Sequence, residues 1–294
     1  MRKQIRFRKM HGLSMIELMV SMVISLFLIG GLASVYISTL TSDKMRVEIS
    51  EMEENARTAL LAIRDIVSQA GFPSVDGHVM EETFYAEVDD IPNTDCRAGG
   101  AEDKLLANEA IQKKKTADST IAKRDTLLAV FLADDPNKGG ADSGLLVQDC
   151  VASTITPECS SAPLEGMYNP TEAKIYNYLY ITASDGRPVL TCMGSLGGAE
   201  PIAENIENMQ FLYGVSVGTD LVYKNATQVT TDSDWGNVIN VQVGILVRSE
   251  RDILEKEEKK TVLLLDETIT TSKDRRLYRA YTTTVVLPNR LTEL

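Results

Sequence analysis

The sequence predicts an α+β fold in which one long N-terminal helix packs on an antiparallel β-sheet. A long apolar run near the N-terminus continues into a segment whose apolar residues recur at helical spacing. The rest of the chain carries short apolar runs between turn-forming residues, and we find no crossover helices that parallel strands would need. At 294 residues the chain has room for this helix and one globular domain of about 220 residues.

The N-terminus combines a basic leader with an apolar segment. Residues 1–12 carry five Lys or Arg residues and no acid, and residues 18–42 contain no charge. Roughly 20 apolar residues suffice for a helix to cross a bilayer, and the cationic flank indicates the cytoplasmic end. The apolar run lacks the small-residue cleavage site of an ordinary signal peptide. Residues 13–42 are therefore predicted to cross the inner membrane once, with the C-terminal domain in the periplasm.

One carboxylate, Glu17, lies a single turn inside the apolar helix. An acid in that environment costs roughly 3 kcal/mol or more, so it should have a functional partner. If the chain is cut after Gly12, the new α-amine of Leu13 lies four residues from Glu17 on the same helix face. This amine is a candidate partner within one chain or between neighbours. A plain anchor with an accidental glutamate is the alternative, but it does not explain the spacing.

The run Gly12-Leu13-Ser14-Met15-Ile16-Glu17 resembles the processing motif of type IV pilin-like proteins. That motif has a short basic leader, a Gly, an apolar residue, and a Glu fifth in the mature chain. The resemblance implies that a prepilin peptidase removes residues 1–12, that Leu13 is then N-methylated, and that Glu17 acts in assembly. Leu13 departs from the Phe that is commoner at this position.

Residues 43–71 form the predicted amphipathic half of the same helix. Their apolar residues recur every three or four positions, which is the spacing of one buried helical face. Gly71-Phe72-Pro73 is a typical helix end. Because no breaker interrupts the pattern, we predict one helix from about Ser14 to Ala70. The Gly30–Ser34 stretch is where we expect a bend or local melting.

Residues 72–294 are predicted to form the globular domain. Apolar alternation between Gly, Asn, Asp and Lys clusters predicts seven strands, with Asp185-Gly186 as a hairpin turn. The predicted strands are Thr126–Leu132, Ile175–Thr182, Pro188–Met193, Ile206–Val217, Val238–Val247, Thr261–Leu265 and Leu277–Leu287. A short helix is also considered near Glu102–Lys115. The oxygen-rich loop Ala133–Gly144 is better interpreted as a solvated turn than as a calcium site, since it lacks the spacing of a known calcium loop.

The sequence contains four cysteines, Cys96, Cys150, Cys159 and Cys192. In an exported domain an even number predicts two disulfides, with three connectivities open and free buried thiols as the alternative. We favour Cys150–Cys159, which closes a short loop, and this choice leaves Cys96–Cys192. Because the chain has no Cys-x-x-Cys pair and only two histidines, no metal site is predicted.

The charge balance disfavours nucleic acid as a partner. The net charge is −12, and without the five leader cations 25 basic residues face 42 acidic ones, giving −17. Such a surface repels phosphate backbones. No glycine-rich phosphate loop precedes a helix, and the Gly-x-Ser-x-Gly match at Gly214–Gly218 opens no helix and has no histidine after it. We therefore predict no cofactor and no catalytic residue, and we do not expect an enzyme.

Three further stretches resemble the PilW-type minor pilins. They are the helical segment Glu54–Phe72, the segment Ile202–Gly214 with Glu207-Asn208-Met209-Gln210, and the closing strands Val238–Ser249 and Arg275–Arg290. The resemblance implies a minor pilin that primes type IV pilus assembly and lies at or near the fibre tip. Its implied partners are membrane lipid, the inner-membrane assembly platform, other minor pilins and the major pilin. The alternatives are a J-type minor pseudopilin of type II secretion, which would enter a pseudopilus, and an adhesive tip protein.

Overall fold

The computed structural model describes residues 14–72, 83–84, 115–118, 123–133, 148–153 and 173–293. The leader with Gly12 and Leu13, nearly all of the predicted helix near 102–115, and most of the oxygen-rich loop lie outside the described residues. The chain divides into two compact units, Met1–Glu48 and Ile49–Leu294.

The long helix α1 runs over Met15–Gln69, within one residue of each predicted end. It is unbroken through Gly30–Ser34, where the sequence predicts a bend or local melting. In the first unit its apolar side chains are exposed. In the second unit one face is buried, as the three-and-four spacing predicts. The buried apolar residues of this face are Met52, Ala56, Ala59, Ile63, Ile66, Val67 and Ala70.

The C-terminus of α1 ends at Gly71, whose φ of +71° is a conformation that other residues rarely adopt. An added Cβ there would lie 2.8 Å from Thr83 Oγ1. Asn289 Nδ2 donates to the backbone carbonyl oxygens of Ser68 and Ala70, both at 3.3 Å. These bonds satisfy carbonyl groups that have no partner within the last helical turn.

The globular unit contains two four-stranded antiparallel sheets and a separate hairpin. The strands are β1 (Leu127–Ala133), β2 (Ala173–Ser184), β3 (Arg187–Gly194), β4 (Ala199–Glu204), β5 (Ile206–Val217), β6 (Asp220–Lys224), β7 (Val238–Arg248), β8 (Thr261–Leu264), β9 (Glu267–Thr270) and β10 (Tyr278–Val286). The first sheet has the order β1-β2-β3-β4 and the second has the order β10-β7-β5-β6, while β8 pairs with β9. The α+β class and the antiparallel pairing are confirmed, but the expectation of a single sheet is wrong.

The division into two sheets occurs at Asn205, the single residue between β4 and β5. Its φ of +61° turns the chain sharply, so that β4 ends one sheet and β5 enters the next. The segment Ile202–Gly214, one of the stretches that resemble the PilW-type minor pilins, therefore belongs to two strands. Apolar residues of both sheets and of α1 form one core around Leu179, Phe211 and Val243.

The remaining connections follow local sequence signals. Asp185 and Gly186 have φ of +49° and +75°, as expected for the tight turn between β2 and β3. A short helix, α2 (Ala226–Asp232), starts with Asn225 as N-cap and a capping box completed by Gln228. The sequence pattern does not predict α2, β4, β6 and β9, because each is too short to show a clear period.

Candidate functional site

The N-terminal end of α1 is closed by a serine and a glutamate. The backbone N–H of Ser14 donates to Glu17 Oε2 at 3.0 Å, and the backbone N–H of Ile16 donates to Ser14 Oγ at 3.3 Å. This arrangement is close to a capping box, in which the third helical residue reaches back to the cap. Glu17 therefore has a local partner in addition to the predicted α-amine, and the Ser-x-x-Glu pattern of the sequence is the signal for it. Gly12 and Leu13 lie outside the described residues.

The helix surface after Glu17 is apolar and open. Every large hydrophobic residue from Met15 to Leu40 is between 41% and 80% exposed. The helix is long and apolar enough to cross a membrane. A Cβ added at Gly30 or Gly31 would have no other atom within 4 Å, and the two glycines line a surface cavity together with Phe27. Such a surface is stable only in lipid or against other apolar helices, and small residues favour close helix approach.

The disulfide of the described region joins Cys150 to Cys192, so the favoured Cys150–Cys159 pairing is wrong. Cys192 lies on β3, fully buried in the core, and its Cα is 6.3 Å from that of Cys150. The bond spans 42 residues, for which loop-closure entropy predicts about 4 kcal/mol of stabilisation. Cys96 and Cys159 lie outside the described residues.

Polar contacts of segment 148–153 explain this pairing. Cys150 N–H donates to Asn177 Oδ1 at 2.8 Å, which fixes the cysteine beside β2. The Asp149 carboxylate accepts backbone N–H groups of Ser195 at 2.8 Å, Ser153 at 2.8 Å and Val151 at 3.1 Å. These contacts hold the segment against the β2–β3 pair. No local pattern in the sequence indicates these contacts, because they depend on which strands become neighbours.

Gly194 makes this arrangement possible. A Cβ at Gly194 would overlap the Asp149 carboxylate and lie 2.7 Å from Val151 Cγ2. Asp149 is 6% exposed, so its carboxylate has little room to move into solvent. Gly198, in the same turn, differs in that an added Cβ would meet Val151 only at 3.6 Å.

A polar clamp connects the start of β1 with the central strand β5. The Lys123 carbonyl accepts Asn208 Nδ2 at 2.8 Å and also accepts Gln210 Nε2. Asp125 N–H donates to the Met209 carbonyl at 2.9 Å. Asn208 and Gln210 are each 1% exposed, so these bonds form away from water. A buried donor or acceptor that is left without a partner costs more free energy than the hydrogen bond contributes when it is formed.

Glu207 adds an ionic part to the clamp. Arg124 Nε donates to the Glu207 carbonyl at 2.9 Å, and its NH2 group lies 3.3 Å from Glu207 Oε1. Arg248 NH1 of β7 is 3.4 Å from Glu207 Oε2. The run Glu207-Asn208-Met209-Gln210, which resembles a stretch of the PilW-type minor pilins, thus connects β5 with the residues that precede β1.

Three aromatic rings pack together beneath β5. Tyr213 forms edge contacts with Phe84 and Trp235, at ring-centroid distances of 5.6 and 4.9 Å. Burial, and next the negative charges of Asp125 and Asp118, raise the pKa of Tyr213 well above its usual value. Its hydroxyl is buried and has no hydrogen-bond partner among the described residues.

The described residues place no group of three or more His, Cys, Asp or Glu side chains where they would hold a metal ion. One unit presents an apolar helix with an acid at its start, and the other is a tightly connected β-rich unit.

Two family models match this chain. Residues 178–289 match the family described as Type IV Pilus-assembly protein W, and residues 7–33 match the Prokaryotic N-terminal methylation motif. Among solved structures, the chain is similar to the Type IV-like pilin TTHA1219 from Thermus thermophilus. That similarity has a TM-score of 0.30 and 12% identity, and covers 57% of this chain and 80% of the other. The comparison with curated proteins returns no match.

Proposed function

We propose that this chain is a PilW-type minor pilin that primes type IV pilus assembly and lies at or near the fibre tip, a proposal supported by the family matches over residues 178–289 and 7–33. In this role it is a structural subunit rather than an enzyme. A prepilin peptidase removes residues 1–12, and the C-terminal domain lies in the periplasm before the chain enters the fibre with other pilins.

The observation that carries this proposal is the acid at the start of an apolar helix. Glu17 lies next to the predicted cleavage junction, and the methylation-motif match covers that junction. Apolar packing has little directionality, so it sets the register between helices weakly. A carboxylate paired with the α-amine of Leu13 defines one position. N-methylation leaves this amine cationic, so the pairing survives modification.

The capping geometry makes a clean test possible. Glu17→Gln keeps an oxygen acceptor for the Ser14 N–H, since glutamine also serves at this position of a capping box. The substitution therefore removes the charge and preserves the local helix start. We expect normal membrane insertion and normal cleavage after Gly12, but fewer surface fibres.

The experiment expresses wild-type, Glu17→Gln and Glu51→Gln chains in a strain that lacks the native copy. Glu51 is an exposed carboxylate on the same helix beyond the apolar segment, so it controls for charge removal alone. Processed protein in membranes and surface fibre number are measured in parallel. Normal fibre number and normal co-purification with other pilins for Glu17→Gln would contradict the role assigned to this residue.

A further inference from the structure

Strand β6 is the terminal strand of its sheet and is exposed over most of its length. In the described part of the globular unit, eight large hydrophobic residues are exposed, and four of them lie in the β5–β6 hairpin. These four are Val217, Leu221, Val222 and Tyr223, which are between 37% and 50% exposed. Exposed apolar residues are thus concentrated on one sheet edge.

The centre of this edge lacks the features that usually protect a terminal strand. Natural sheets block exposed edges with proline, charged residues or irregular pairing. Strand β4, an edge of the other sheet, contains Pro201 and two glutamates and has a register shift against β3. In contrast, β6 pairs with β5 in continuous register from Asp220 to Lys224, and its three central residues are apolar.

The register also defines which backbone groups are free for pairing. Val217 and Asp220 close a two-residue turn, so the groups of Asp220 face β5. Because facing alternates along an antiparallel strand, the N–H and C=O groups of Leu221 and Tyr223 point away from β5. An added strand would bond to these groups, as in β-strand addition.

Acidic groups lie at both ends of β6. Asp220 is exposed at its first position. At its other end Lys224 Nζ lies 2.6 Å from both Asp232 Oδ2 and Asp234 Oδ2, so two carboxylates surround one cation. Asp266 is also near, since its Oδ2 accepts Asn225 Nδ2 at 3.3 Å.

We propose that β6 docks an extended strand of a different subunit, apolar in its middle and carrying Lys or Arg at both ends. That the partner is a neighbouring subunit rests on the proposed function, whereas the chemistry of its strand rests on β6 alone. A second copy fits poorly. In an antiparallel pair about Val222, Asp220 would face a Lys224 that already has two carboxylate partners.

The test uses the full chain in detergent and a short designed peptide, Lys-Val-Thr-Val-Thr-Val-Lys, as the probe. One matched peptide replaces both lysines with glutamate, and another replaces the central residue with proline. Binding is followed by fluorescence anisotropy, and amide hydrogen exchange locates the site. We expect the lysine peptide to slow hydrogen exchange of the backbone amides of Leu221 and Tyr223. The glutamate peptide should bind at least about tenfold more weakly than the lysine peptide.

Variants of the chain connect the binding to this edge. Val222→Lys introduces a charge at the centre of β6, and we expect it to weaken peptide binding about tenfold. Val286→Lys is the matched control, because Val286 is 50% exposed on β10 at the opposite edge of the same sheet. Asp220→Lys adds a second test and should weaken binding of the lysine peptide while improving binding of the glutamate peptide.

Each contrary outcome overturns the proposal. These outcomes are no binding of the lysine peptide, equal binding of the lysine and glutamate peptides, or exchange protection at β10 instead of β6. Self-association of the chain through β6 would assign the edge to a second copy. The peptide assay needs no pilus, so its failure leaves the proposed function standing. Normal fibres from Glu17→Gln would likewise leave the peptide result unchanged.

Discussion

Replacing Gly194 with alanine should release segment 148–153 from the sheet that it covers. The new Cβ would overlap the Asp149 carboxylate, which accepts three backbone N–H groups. Each hydrogen bond to a charged group contributes about 1.5–3 kcal/mol net. If the substitution weakens all three hydrogen bonds to Asp149, the free energy of unfolding should fall by about 3 kcal/mol. The reduced freedom of the unfolded chain acts in the opposite direction, but contributes only about 0.4–1 kcal/mol.

The assay is urea unfolding of the oxidised full chain in detergent, with peptide mapping of the disulfides. Gly198→Ala is the matched control, since its Cβ meets Val151 at an ordinary contact distance of 3.6 Å. We expect it to change stability by less than about 0.5 kcal/mol. We also expect Gly194→Ala to lower the fraction of chains with the Cys150–Cys192 bond. Equal stability of the two variants, with the disulfide complete in both, would refute this account of how Cys150 reaches Cys192.

Three further predictions concern the globular unit. With Cys150 and Cys192 joined, any second disulfide within the chain must join Cys96 to Cys159, and thiol counting on the denatured, unreduced chain should find no free thiol. Gln210→Leu removes one of the two side-chain donors to the Lys123 carbonyl and should lower the free energy of unfolding by about 2 kcal/mol, while Gln242→Leu on β7 should change it little. Tyr213→Phe should stabilise the chain by about 1 kcal/mol, because the lost hydroxyl has no partner among the described residues. The raised pKa of Tyr213 lowers stability as the pH rises above 10, by at most about 1.4 kcal/mol per pH unit, and this loss should be absent in Tyr213→Phe.

The parts of the fold that follow from local pattern were predictable. The three-and-four spacing and the Gly71 stop locate α1, since burial of one helical face imposes that period. Asp185-Gly186 predicts its turn, because both residues tolerate positive φ. The longer strands were found for the same reason. Strand β6 was missed because five residues with both faces exposed show no alternation.

The features that depend on distant contacts were not predictable. The pairing of Cys150 with Cys192 depends on Asn177 and Asp149 holding one segment beside β3, and cysteine spacing carries no information about that contact. The second sheet begins at Asn205, whose positive φ is one of several conformations open to asparagine. The polar clamp was visible only as a resemblance at Glu207–Gln210, with no indication of its partners.

The proposed function requires that this chain is processed and assembled as a pilin. Its most direct test is the intact mass of the protein extracted from membranes of cells with and without prepilin peptidase. We expect a chain that begins at Leu13 and carries one N-terminal methyl group when the peptidase is present, and the uncut chain when it is absent. A bulky residue at Gly12 should block the cut in the cells that have the peptidase. An intact 1–12 leader in peptidase-positive cells would contradict the claim.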